Sequence, residues 1–138
     1  MNLIDRVLTL ADKVSAPRFG AAHCDLPCGV YDPAQARLEA ESVKACQEKY
    51  NASDDHDFKT RAILIKEERC DLVKHHLWVL WTDYFKPEHL AAHPDLHDLV
   101  WKATKTAGEA KKTTDAAVGQ RLLEEIDAVA AVFWETKK

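Results

Sequence analysis

The chain reads as an all-α protein, an antiparallel four-helix bundle with short connections. Three observations predict this. Apolar residues recur at helical spacing in four stretches, while no stretch alternates with the period of two that a half-buried strand needs. Asp-Pro and Thr-Asp pairs stand where those stretches begin, as helix starts require. Only 4 Gly and 5 Pro occur in 138 residues, fewer than a loop-rich β protein would use.

Residues 1–22 form the first piece. Leu3, Ile4, Val7, Leu8, Ala11 and Val14 suit a short amphipathic helix, which Pro17 and Gly20 stop. Asp5, Arg6, Asp12 and Lys13 interrupt the apolar residues, so a secretory signal is a poor fit. A helix packed on the body, or fraying, is the plain expectation. The small residues Gly20, Ala21 and Ala22 would also suit an extended peptide entering a protease.

The body follows from Asp32. Asp32-Pro33 opens a helix with Ala36, Ala40, Val43 and Tyr50 on one face. After the polar stretch 51–55, a long helix is expected from about Asp57 to Tyr84, ended by Pro87. Its inner face carries Ala62, Ile65, Leu72, Val73, His76, Leu77, Leu80, Trp81 and Tyr84. His93-Pro94-Asp95 opens a third helix with Leu96, Leu99, Val100 and Ala103, and Gly108 to Thr113 reads as a linker. Thr114-Asp115 caps the last helix, whose core stripe is Val118, Leu122, Leu123, Ile126, Val129 and Phe133. For Trp78, Trp81, Tyr84, Phe85, Trp101 and Trp134 core packing is the first expectation and a subunit interface the second.

Composition narrows the function classes. Hydrophobic residues make up 46% and charged residues 30%, so the chain can bury a core and wholesale disorder is excluded. A net charge of −4 points to no nucleic-acid partner, and no apolar run approaches the roughly 20 residues of a membrane span. Four cysteines are too few for a disulfide-built miniprotein.

Three soft or borderline ligands fall within residues 23–28: His23, Cys24 and Cys28. Pro27 opposes an ordinary helix here and Gly29 permits a tight turn, so the chain can curl to bring them together. Thiolates with imidazole favour a late transition metal. By pattern alone, one H-C-x3-C leaves three alternatives: a metal site, a redox-active cysteine pair, or unrelated cysteines. No second C-x-x-C pair completes a structural zinc site.

The string HCDLPCGVYDP at 23–33 resembles the nickel hook of the nickel-dependent superoxide dismutases. PAQARLEAESVKA (33–45), LVKHHLWVLWTDYFKP (72–87) and FWETKK (133–138) are similar to that family in the same order. The resemblance implies a homohexamer of four-helix bundles, each with an N-terminal metal-binding hook and one nickel ion. It implies a leader, residues 1–22, cut between Ala22 and His23 by a maturation protease. Nickel would then be bound by the α-amine and imidazole of His23, the backbone nitrogen and thiolate of Cys24, and the thiolate of Cys28. Anionic thiolates and an amidate push electron density onto nickel and bring Ni(III) within reach. The implied reaction is dismutation of superoxide to dioxygen and hydrogen peroxide, in the cytoplasm.

Around the hook the resemblance assigns further roles. Glu39 would accept from the His23 imidazole, with Arg69 holding Glu39. Tyr31 would stand beside the vacant face of the metal, Tyr84 nearby, and the Asp25 backbone N–H would line the same pocket. Pro27 would carry a cis peptide bond, and Lys86 would attract the anion. Read without the resemblance, Glu39 and Arg69 are ordinary solvated helix charges. The competing functions are a non-catalytic helical metal-binding or delivery protein, and a Cys24–Cys28 thiol redox module.

The other candidates read plainly. His75 and His76 point about 100° apart on a helix and form no simple site. His89, His93 and His97 have stripe spacing, but Pro94 interrupts it, so surface or capping roles are expected. Cys46 and Cys70 are expected to be small buried residues.

Overall fold

The computed structural model describes residues 28–138. Helix α1 runs Ala34–Asn51 and α2 runs His56–Val79, continued by a π-helical turn at Leu80–Tyr84. A short α3 (Pro87–Ala92), then α4 (Leu96–Lys111) and α5 (Ala116–Glu135) complete the chain. Helix α1 packs on α2 and α5, and α4 packs on α5 and α2, so the four long helices close into a bundle. Among the described residues there is no strand.

Side chains set the starts. Asp32 Oδ1 accepts from the Ala34 N–H at 2.8 Å, with Pro33 already at helical angles (φ −65°, ψ −13°). Asp55 accepts from Phe58 N–H and Asp115 from Ala117 N–H, both at 2.9 Å. The core is Ala36, Ala40 and Val43 from α1, Cys70, Val73 and Leu77 from α2, Leu96, Val100 and Ala103 from α4, and the whole predicted stripe of α5.

Four expectations need correction. The segment 57–84 is not one α-helix: Phe85 N–H bonds to Leu80 O at 2.9 Å, an i to i+5 bond that widens the last turn. The stretch 108–113 is not a linker, because α4 continues to Lys111 with Ala107 and Ala110 fully buried. Trp78, Trp101 and Trp134 are not core residues, being 50%, 54% and 49% exposed. Ile65 is also exposed; the inner face of α2 carries Lys66 instead.

Candidate metal centre

Tyr31 and Tyr84, two of the expected site residues, meet at the end where the chain enters α1 and leaves α2. Cys28 is exposed, and Gly29 follows with φ +73°, a left-handed turn that glycine accepts without strain. His23, Cys24, Asp25 and Pro27, with the expected cis bond, lie outside the described residues.

Tyr31 packs on the core edge with its ring 5.4 Å from that of Tyr84. Tyr84 comes from the π-helical turn, which re-aims the end of α2. Its ring also meets Phe133 at 4.4 Å, Phe85 at 5.2 Å and the stacked His89 at 5.7 Å. His89 also holds the start of α3, because its Nδ1 accepts from the Lys86 backbone N–H at 3.1 Å. The exposed Lys86 is thereby anchored two residues from Tyr84.

Glu39 on α1 and Arg69 on α2 meet at 3.0 Å. Glu39 is mostly buried, and its hydrogen bond raises the already high pKa of Arg69. The two pairs are distinct clusters: at ~1.5 Å per residue, Arg69 lies about 20 Å along α2 from Tyr84.

The histidine stripe does not assemble. His89 stacks on Tyr84, His93 follows the end of α3, and His97 meets Trp81 at 5.5 Å. Among the described residues no group of three His, Cys, Asp or Glu could hold a metal. Cys46 is half-buried and Cys70 fully buried; both thiols are free and both are pushed up in pKa by burial.

Sequence reasoning left two features without a role. Thr136 and Lys137, inside the quoted FWETKK string, both contact Tyr84. Lys66 is 3% exposed and donates to the Lys111 and Thr113 carbonyls, each at 2.8 Å. Helical register places it with Ala62, Cys70 and Val73, the one signal that it points inward.

The family model for nickel-containing superoxide dismutase matches residues 18–137. The chain belongs to the nickel-containing superoxide dismutase family. A nickel superoxide dismutase of Streptomyces seoulensis is 61% identical over 130 residues, covering 94% of this chain and 99% of that protein. Its counterpart from Streptomyces coelicolor A3(2) is 58% identical over the same length and coverage. A native nickel superoxide dismutase structure is 59% identical, with a TM-score of 0.82, and covers 84% of this chain and 100% of that chain. A structure with its nickel ligation in the oxidised state is 61% identical at the same TM-score, covering 83% and 98%. The chain is therefore a nickel-dependent oxidoreductase acting on superoxide, built on the helical bundle of its family. The alternatives of a metal-delivery protein and a thiol redox module are not favoured.

Proposed function

We propose that the nickel of this dismutase, one ion per chain, is held by His23, Cys24 and Cys28 once residues 1–22 have been removed. The donor chemistry fits. Two thiolates, an imidazole, an amine and an amidate suit a late metal that must reach a higher oxidation state, and a hard N/O set would not. Cys28 stands exposed beside the left-handed turn at Gly29, where the hook joins the bundle. No competing donor cluster exists among the described residues.

Bound there, nickel supplies the one-electron Ni(II)/Ni(III) cycle by which 2 O2⁻ + 2 H⁺ become O2 + H2O2. The chain's own groups do the rest. Tyr31 and Tyr84, paired at 5.4 Å, limit access and order water, together with the Asp25 backbone N–H. The Pro27 turn shapes the hook; because the Glu39–Arg69 pair stands about 20 Å along α2 from Tyr84, it orients a His23 ring on a hook packed between neighbouring subunits of the homohexamer. Lys86 draws the anion toward a body that is itself negative. The leader carries three cations against two anions, so its loss leaves that body at −5 rather than −4.

Cleavage is the switch in this reading. While Ala22 is joined to His23, the α-amine is an amide and cannot bind nickel as an amine does. The half-exposed Trp78, Trp101 and Trp134 support assembly into the homohexamer, since aromatics are enriched at interfaces. The charged leader is unlike a secretory signal, and no helix among the described residues is long and apolar enough to cross a membrane. Both fit a cytoplasmic enzyme.

The carrying observation is the family match, which spans every residue named here as a ligand or its support. The test is intact mass, N-terminal sequence, nickel content and superoxide decay for protein made with and without its maturation protease. Protein beginning at His23 should hold one nickel and turn over, while the full-length form should do neither. Equal nickel and equal activity in both forms would overturn the amine-ligand reading, and full activity in Cys24→Ser would overturn the thiolate role.

A further inference from the structure

The C-terminal turn reaches Tyr84 from two directions. Thr136 Oγ1 lies 2.5 Å from the Tyr84 hydroxyl and 2.5 Å from the Phe133 carbonyl oxygen. A carbonyl oxygen only accepts, so the single hydroxyl hydrogen of Thr136 goes to Phe133. The bond to Tyr84 then has one direction: Tyr84 donates and Thr136 accepts. The phenolic oxygen is left presenting lone pairs, with its hydrogen turned toward the C-terminus.

The next residue brings charge. Lys137 Nζ stands 5.0 Å from the centroid of the Tyr84 ring and 5.5 Å from that of Phe133. The adjacent carboxylate does not neutralise it, because Glu135 is bound by Lys138 at 2.7 Å. Among the described residues Lys137 forms no ion pair, and its side chain is exposed. A cation is thus held against the tyrosine that Tyr31 also touches.

We propose that the C-terminal turn belongs to the approach path of superoxide. Lys137 is a second guidance cation beside Lys86, and Thr136 is a positioning residue that fixes the direction of the Tyr84 hydroxyl hydrogen. This rests on the reading that Tyr31 and Tyr84 line the nickel site. An anion moving toward a net negative enzyme gains most from cations fixed at the entrance, and such steering weakens as salt screens it. A lysine clamped over an aromatic ring is fixed in this sense, where a free lysine would wander.

The test measures kcat/KM of the nickel-loaded enzyme from low to high ionic strength. Lys137→Met should lower kcat/KM about two- to five-fold at low salt and converge on the parent at high salt. Lys137→Arg should keep both the rate and the salt slope. Thr136→Val should change kcat/KM at every salt concentration with the slope intact, and Thr136→Ser should restore it. Nickel content and helical circular dichroism should stay constant throughout, which a merely structural role would not predict alongside a changed salt slope. Tyr84→Phe separates the two layers. If it alters the kinetics while Lys137→Met leaves rate and slope untouched, the guidance role is wrong and the site reading stands. If none of these variants has an effect, the tyrosine reading and the inference fall together.

Discussion

The Glu39 carboxylate and the Arg69 guanidinium meet at 3.0 Å, joining α1 to α2 across the bundle. The Glu39 side chain is only 16% exposed, against 35% for Arg69, so the arginine is the partner through which solvent sees the pair. Removing it leaves a mostly buried carboxylate with no counter-charge and no fixed orientation. Arg69→Ala should therefore lower dismutase activity about 10- to 100-fold, the usual effect of losing a group that orients a metal's histidine. Arg69→Lys should recover part of it, because a lysine restores the charge without the planar fork. Superoxide decay on nickel-matched samples is the measurement. Unchanged activity in Arg69→Ala would remove the pair from the catalytic account.

Lys66 makes a different prediction, about stability alone. Its ammonium group closes the end of α4 by binding the Lys111 and Thr113 carbonyls, and Gln47 adds a 3.3 Å bond to the latter. Burial lowers the pKa of Lys66, the cost of bringing a charge inside. Lys66→Met relieves that cost but strands the Lys111 carbonyl, at about 1–3 kcal/mol for an unsatisfied group, and leaves the Thr113 carbonyl with the longer Gln47 bond alone. A net loss of about 2 kcal/mol is expected, read as a lower urea midpoint.

Lys66 also shows where sequence reasoning stopped. Element existence was legible because amphipathic spacing and Asp caps are local signals: Asp32 and Asp115 cap as expected, Asp55 caps where only a polar connection was read, and Asp95 opens α4 with no side-chain cap bond. A lysine on the inner stripe reads as a surface charge until the carbonyls of α4 arrive from 45 residues away. The π-helical turn was invisible for a similar reason: one extra residue shifts the phase of Leu80–Tyr84 without changing its composition. Gly108 reads as a breaker, yet tertiary packing of Ala107 and Ala110 carries the helix through it. For the proposed site, Tyr31, Glu39, Arg69, Tyr84 and Lys86 are named only through resemblance to a family, since as single residues they look ordinary. Thr136 and Lys137 were quoted within a matching string but had no role until their contacts with Tyr84 were seen.

Cys70 should leave a mark in alkaline unfolding. Burial pushes its thiol from 9.0 up to about 11. Below pH 9 the thiol is protonated in both states, so its contribution is fully present. As pH rises the unfolded chain loses this proton first, the folded state then binds more protons, and stability falls through the window up to about 11. The loss is of order 2–3 kcal/mol at ~1.4 kcal/mol per pH unit. Lys66 acts with the opposite sign at alkaline pH, because its lowered pKa lets the folded state release a proton first. The useful quantity is thus the difference between parent and Cys70→Ala. The parent should lose stability more steeply than the variant between pH 9 and 11 in parallel denaturant titrations, and identical slopes would contradict this.

Two glycines inside helices should respond to alanine with opposite signs. Helix propensity alone favours alanine by about 1 kcal/mol at both. At Gly108 an added Cβ would meet the Lys74 Nζ at 3.2 Å and its Cε at 3.6 Å, the far end of a flexible chain that can move aside. Gly108→Ala should therefore stabilise by about 0.5–1 kcal/mol. At Gly119 the Cβ would lie 2.9 Å from both Cα and Cβ of Lys44 and would overlap the buried Gln47 amide oxygen. That is the backbone of α1, which cannot move without opening its contact with α5. Overpacking costs typically about 1–3 kcal/mol, so the propensity gain is outweighed and Gly119→Ala should destabilise. The disturbance also reaches Gln47 and its bond to Thr113, where Lys66 closes α4. Gly119→Ala and Lys66→Met should consequently fall short of additivity in a double-mutant cycle, while Gly108→Ala should add independently to Gly119→Ala.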